Sequence, residues 1–145
     1  MIVLEFETYC PKMRQQKITE AVYYVSAQLL SRFRKPIYIN IRAIRQLTEK
    51  QGVNGDCMDE GDREFTIRLD VSLPLKDLVS TLMHEMVHVW QYMTGKLKQP
   101  SANKAIFDRV DYDWDMDYDT RPWEIEAHAK EKQLMELWNG KKTYS

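Results

Sequence analysis

Cysteine is scarce in this chain of 145 residues: Cys10 and Cys57 stand far apart and belong to no CxxC pair. Two such thiols build neither a disulfide framework nor a cysteine zinc site, which predicts a reducing, cytoplasmic setting. Glycine and proline are sparse as well, five of each. No Gly/Ser-rich or Pro-rich linker divides the chain and no repeat recurs, so one domain over residues 1–145 is expected. No apolar run approaches the roughly 18 residues that span a bilayer. The opening MIVLEFETYC carries two glutamates where a secretory signal would carry basic residues. Neither sign of charge is in excess: 21 Lys plus Arg against 22 Asp plus Glu leave a net −1. That balance argues against a dedicated nucleic-acid binder. What is present is 43% hydrophobic and 30% charged residues, the composition of a soluble globule with a modest core.

Patterning along the chain predicts an α+β fold. Ile2 to Phe6 reads as a short strand. Ile18, Val22, Val25, Leu29 and Phe33 recur at three- and four-residue steps, which predicts a helix over 12–34, ended by Pro36. Ile37, Ile39 and Ile41 alternate with polar residues, as do Phe65, Ile67 and Leu69, so both stretches read as strands. A short hairpin strand over 56–60 is bracketed by the turn signals of Gly52 to Gly55 and Gly61. A second helix is expected from Ser72, read as its cap, with Pro74 and Asp77 in the first turn. Leu75, Leu78, Val79, Leu82, Met86, Val89, Trp90 and Met93 form its apolar stripe, and Gly95 is its stop. Residues 96–119 read as a long, polar, acidic connection. A third helix is expected from Thr120 to Gly140, with Trp123, Ala127, Leu134, Leu137 and Trp138 facing the core.

The second helix carries His84-Glu85-Met86-Val87-His88, an HExxH motif. Four residues make slightly more than one turn, so both imidazoles project from one face and can reach a single tetrahedral ion. Glu85 is rotated about 100° around the axis. It can therefore touch a metal-bound water and accept its proton without competing as a ligand. Such a site needs a third protein ligand and an open position for water. The third helix offers RPWEIEAH, in which Glu124 and His128 lie four apart on one face while Glu126 points elsewhere. Residue spacing alone leaves Glu124, His128 and Glu126 as alternatives for that ligand.

HExxH on one helix, followed by a helix reading E-x-E-A-x, resembles small gluzincin-type zinc metallopeptidases, most nearly the SprT-like and phage-type minimal metallopeptidases. The resemblance covers most of residues 12–138. It implies a minimal zincin-like domain: an N-terminal helix, a small mixed or antiparallel sheet, an HExxH helix and a C-terminal helix. It also implies Zn²⁺ held by His84, His88 and Glu124, with Glu85 as general base for peptide hydrolysis. His128 stands where the family pattern carries Asp or Asn; one turn beyond Glu124, it would orient that carboxylate or stabilise the oxyanion. The expected partner is a peptide or protein substrate. The strand at Phe65 to Asp70, if it is the sheet edge, would pair with an extended segment. The alternative expectation is a regulatory or binding module that keeps the fold and a structural zinc.

Residues 111–119 read Asp-Tyr-Asp-Trp-Asp-Met-Asp-Tyr-Asp. In an extended chain the aspartates face one way and Tyr112, Trp114, Met116 and Tyr118 the other. This stretch is expected either to pin its aromatics on the core or to form an acidic rim that favours basic peptide segments. Tyr112 and Tyr118 are candidate oxyanion phenols. A calcium loop of Asp113, Asp115, Asp117, Asp119 and Glu124 is disfavoured, because Tyr118 occupies the position that needs glycine. The basic run Lys12, Arg14, Lys17, Arg32, Arg34, Lys35, Arg42 and Arg45 reads as a solvated face, and no nucleic-acid partner is expected from it.

Overall fold

The computed structural model describes residues 1–144, with side chains for residues 1–140. The expected α+β architecture is present, as four helices and two small sheets. Strand β1 (Ile2–Phe6) leads through helix α1 (Lys12–Leu29) to β2 (Ile37–Ile44). A short helix α2 (Leu47–Gln51) precedes the hairpin β3 (Gly55–Gly61) and β4 (Glu64–Asp70). Helix α3 (Leu75–Met93) follows, then strands β5 (Leu97–Ser101), β6 (Lys104–Phe107) and β7 (Val110–Asp113). A 3₁₀ turn (Tyr118–Thr120) introduces helix α4 (Pro122–Tyr144).

The first sheet has the order β1-β2-β4-β3. β1 and β4 both run parallel to β2, and β3 runs antiparallel to β4. The alternation of Ile37, Ile39, Ile41 with Phe65, Ile67, Leu69 buries one face of this sheet. Against it pack Ile18, Ala21, Val22 and Val25 of α1 and Leu78, Leu82, Met83 and Met86 of α3. Each is at most 2% exposed, and a fully buried aliphatic side chain contributes about 1.5–3 kcal/mol.

β4 is therefore an interior strand, which corrects the expectation that Phe65 to Asp70 forms the sheet edge. Its near-continuous burial, with Thr66 and Asp70 as well as the apolar residues inside, is that of a strand paired on both sides. β3 is the edge. Its hairpin with β4 turns at Asp62 and Arg63, both at positive φ (53° and 64°), as a two-residue turn of matching twist requires. Gly55 opens β3 where a side chain has no room: a Cβ there would lie 2.7 Å from the Arg68 carbonyl oxygen and 2.9 Å from Thr81 Cγ2.

Residues 96–119, expected as an irregular connection, instead hold the three-stranded antiparallel sheet β5-β6-β7. Its buried apolar residues, Leu97, Ala105 and Phe107, close over Trp123 in the first turn of α4. Trp114 stacks on that indole at 5.3 Å and 17°.

Three helices also have different ends. α1 stops at Leu29, with Leu30 turning out of the helix, so 30–34 are not helical. α3 begins after Pro74, and Ser72 is not its cap; its hydroxyl accepts instead from the Gln46 backbone N–H at 2.9 Å. α4 begins at Pro122 and runs through Gly140 rather than ending there. Gly95, at φ 75°, does terminate α3. Among the described residues no helix is long and apolar enough to cross a membrane.

Candidate metal centre

Helices α3 and α4 pack side by side, and their facing turns carry every charged group of the site. On α3, His84 and His88 fall one turn apart, their rings 4.9 Å from each other and each residue 6% exposed. On α4, Glu124, His128 and Glu131 follow at steps of four and three and share one face. His84 Nε2 lies 2.8 Å, and His88 Nε2 3.1 Å, from the same oxygen, Glu124 Oε1. A four-coordinate ion with bonds of about 2.0–2.1 Å separates its ligands by about 3.3 Å. Each histidine nitrogen thus stands close to that spacing from one carboxylate oxygen.

The opposite ring nitrogens are engaged too. His84 Nδ1 meets Glu131 Oε1 at 3.0 Å, and His88 Nδ1 meets Gln91 Oε1 at 2.7 Å. An acceptor oxygen on each Nδ1 makes that nitrogen the donor, leaving an Nε2 lone pair aimed at the Glu124 carboxylate. Two lone pairs, each within 3.1 Å of one carboxylate oxygen, are repelled by it unless positive charge stands between them. In the metal-free protein that charge is protons. Burial opposes charging His84, but the Glu124 and Glu131 carboxylates outweigh it and raise its pKa to about 10. His88 is raised for the same reason, burial being outweighed by Glu124 and Glu85. Burial works against the Glu124 carboxylate as well, yet the two histidines hold it well below the ordinary range. A divalent cation fits this donor set in chemistry and in charge.

A second trio shares two of these residues: donor atoms of His84, Glu124 and His128 all lie within 4.8 Å of one another. The two sets differ in the burial of their third member. His88 is buried and its Nε2 faces Glu124, whereas His128 is 56% exposed at its side chain and its Nε2 sits 3.0 Å from the Tyr118 hydroxyl. That hydroxyl donates to Glu124 Oε1 at 3.1 Å. Burial and the neighbouring Glu124 raise the Tyr118 phenol, which keeps its proton.

Glu85 is 5% exposed yet lines both clefts that flank the histidines, one of about 560 Å³ and one of about 620 Å³. Burial pushes its pKa up to about 7, against the opposing pull of His88 and His84. The larger cleft runs along β3 and under Trp114, and β3 lends it Asp56, Asp59 and Glu60.

Among the residues expected at the site, His84, Glu85, His88, Tyr118, Glu124 and His128 are together. Glu126 is not among the converging donors: it accepts from Gln91 Nε2 at 2.9 Å and pairs with Lys96. Tyr112 is away from the site, its ring 6.0 Å from Trp123. The five aspartates of 111–119 are exposed, as expected, but only Tyr112, Trp114 and Met116 turn inward, while Tyr118 reaches the histidines. With Glu124 committed to His84 and His88, the calcium loop is not assembled.

Three contributors went unforeseen: Glu131, Gln91 and Ser80, whose hydroxyl donates to Glu131 Oε2. Two of them had a signal. Glu131 repeats the face of Glu124 and His128, and Gln91 shares the His84 and His88 face of α3, three positions after His88. No family model, curated protein or solved structure matches the chain.

Proposed function

We propose that this chain is a zinc-dependent peptidase, in which His84, His88 and Glu124 hold the ion and Glu85 is the general base. The observation that carries the reading is the convergence of His84 Nε2 and His88 Nε2 on Glu124 Oε1, with both Nδ1 atoms already engaged. A bound zinc supplies Lewis acidity and lowers the pKa of water toward about 7. The chain's own groups do the rest. Glu85, with a pKa of about 7, takes a proton from the attacking water and returns it to the leaving amine. Tyr118, protonated, turns its one hydroxyl proton from Glu124 to the oxyanion, and His128 orients that hydroxyl.

The antiparallel edge of β3 offers backbone pairing to an extended peptide, the role first expected of β4. Asp59 and Glu60 on that strand favour substrates with basic segments, while Asp56 is paired with Arg68. The reading agrees with the resemblance to gluzincin-type, SprT-like metallopeptidases. The two unpaired thiols, Cys10 and Cys57, suit a reducing cytoplasm.

One alternative has its own support. If His128 joined the other three donors, as its grouping with His84 and Glu124 allows, four protein ligands would close the site. The chain would then be a non-catalytic module with a structural zinc.

Elemental analysis of wild type, His84→Ala, Glu85→Gln, Glu124→Gln and His128→Ala, read beside cleavage of an unstructured basic protein, tests both. The peptidase reading expects one zinc in wild type, Glu85→Gln and His128→Ala, its loss from the other two, and no cleavage by Glu85→Gln. Loss of zinc from His128→Ala with an inert wild type would favour the closed site. A wild type without zinc would end both.

A further inference from the structure

Gln91 is wholly buried on the face of α3 that carries His84 and His88, where a leucine would fill the space without desolvating an amide. Its amide is fully used. The nitrogen donates to the Trp123 carbonyl and to Glu126 Oε1, each at 2.9 Å, and the oxygen faces His88 Nδ1 at 2.7 Å. Which end of the amide faces which way follows from the partners themselves. A backbone carbonyl and a carboxylate can only accept, so the nitrogen must face them and the oxygen must face His88. Glu126 is held in turn by Lys96, which also lies 5.3 Å over the Phe107 ring and 5.5 Å over that of Trp90.

We infer that Gln91 is a positioning residue for the metal centre, fixing His88 in the Nδ1–H tautomer that leaves Nε2 free for the ion, and that Glu126 and Lys96 lock Gln91 in this orientation. The inference rests on the metal reading above and deepens it. The two ligand histidines are supported differently: His84 by the Glu131 carboxylate, His88 by a neutral amide. A neutral partner adds no further negative charge where Glu85 and Glu124 already lie. Lys96 immediately precedes β5, so the same relay ties the small sheet to a ligand histidine.

The test measures zinc affinity by competition with a chelator of known strength, on wild type, His84→Ala, Gln91→Leu and Lys96→Met. Thermal melting in EDTA reports each fold without metal. Proton–nitrogen correlation spectra of the zinc-loaded protein report the His88 tautomer. Gln91→Leu should bind zinc about 10- to 100-fold more weakly and lose the slowly exchanging His88 Nδ1–H signal. Lys96→Met, whose side chain is 26% exposed, should keep the fold and lose about threefold to tenfold; it decides the matter should Gln91→Leu not fold. A wild type that binds no zinc overturns the proposed function itself. Zinc in wild type but not in His84→Ala, with unchanged affinity in the folded relay variants, overturns this inference alone. A lower melting temperature with unchanged affinity does the same, because it makes the relay merely structural.

Discussion

Gly55→Ala is the sharpest probe of how β3 is seated. Gly55 has no positive φ, so alanine is allowed by its backbone and the effect comes from space alone. The new Cβ would lie 2.7 Å from the Arg68 carbonyl oxygen, 2.9 Å from Thr81 Cγ2 and 3.4 Å from Leu69 Cδ2. Ordinary contact begins near about 3.5 Å, so two of the three are short by more than half an ångström. One of them is backbone of the interior strand β4 and cannot yield; β3 must move outward. Overpacking of this kind costs about 1–3 kcal/mol, of which a stiffer unfolded chain offsets about 0.4–1. The net is a loss of about 1–2 kcal/mol, or about 3–6 °C in melting temperature for a chain of this size.

Urea titration in EDTA isolates that loss from any contribution of metal. Adding Thr81→Ser removes the Cγ2 contact but not the carbonyl, so the double variant should recover only part of the loss. A neutral or stabilising Gly55→Ala, or full recovery by Thr81→Ser, would refute the account of the close approach. Thr81 lies one turn before His84 and Glu85, so the displaced strand should also cut peptidase activity while leaving zinc bound.

Three further outcomes are expected. Glu131→Gln should weaken zinc binding by about 10-fold, because His84 Nδ1 loses an anionic acceptor; chelator competition reads this, and an unchanged affinity would remove Glu131 from the centre. Tyr118→Phe should retain zinc and lower kcat by about 100-fold, with KM little changed, if the phenol serves the oxyanion; equal loss of zinc would make it a support for Glu124 instead. Burial acts against the Asp70 carboxylate, but the backbone N–H groups of Thr48 and Ser72, each at 2.9 Å, outweigh it and hold its pKa below the ordinary value. Its contribution is full above the unfolded carboxyl value of about 4 and fades as pH falls through the depressed one. Asp70→Asn should therefore be less stable at neutral pH and show a shallower decline under acid in pH-dependent melts.

What could be read from the sequence was whatever local periodicity encodes. His84 and His88 share a face because of their spacing, and Glu124 and His128 do so for the same reason; packing of α3 on α4 turned two adjacent faces into one centre. Ile37 to Ile41 and Phe65 to Leu69 declared themselves as strands, but their neighbours in the sheet did not. Parallel pairing of β2 with β4 joins residues 26 apart, as in Tyr38 with Glu64, and no local pattern carries that information. β5 was hidden because Lys98, Gln99, Pro100 and Ser101 are all exposed and leave Leu97 as its one buried residue. Glu131 was missed because its target, the second nitrogen of His84, comes within reach only once α4 packs on α3, whereas Gln91 meets His88 within α3, three residues on.

The edge position of β3 has a bearing on self-association. An open strand edge offers unpaired backbone N–H and C=O groups to any extended chain, including the same strand in another molecule. Asp59 and Glu60 stand exposed on that edge. Two copies laid edge to edge would bring like charges together, whereas a segment rich in lysine or arginine would neutralise them. On the peptidase reading the acidic strand would thus separate productive strand addition from oligomer growth. Replacing Asp59 and Glu60 with threonine would leave the edge open in both directions, and concentration-dependent aggregation would be its first consequence.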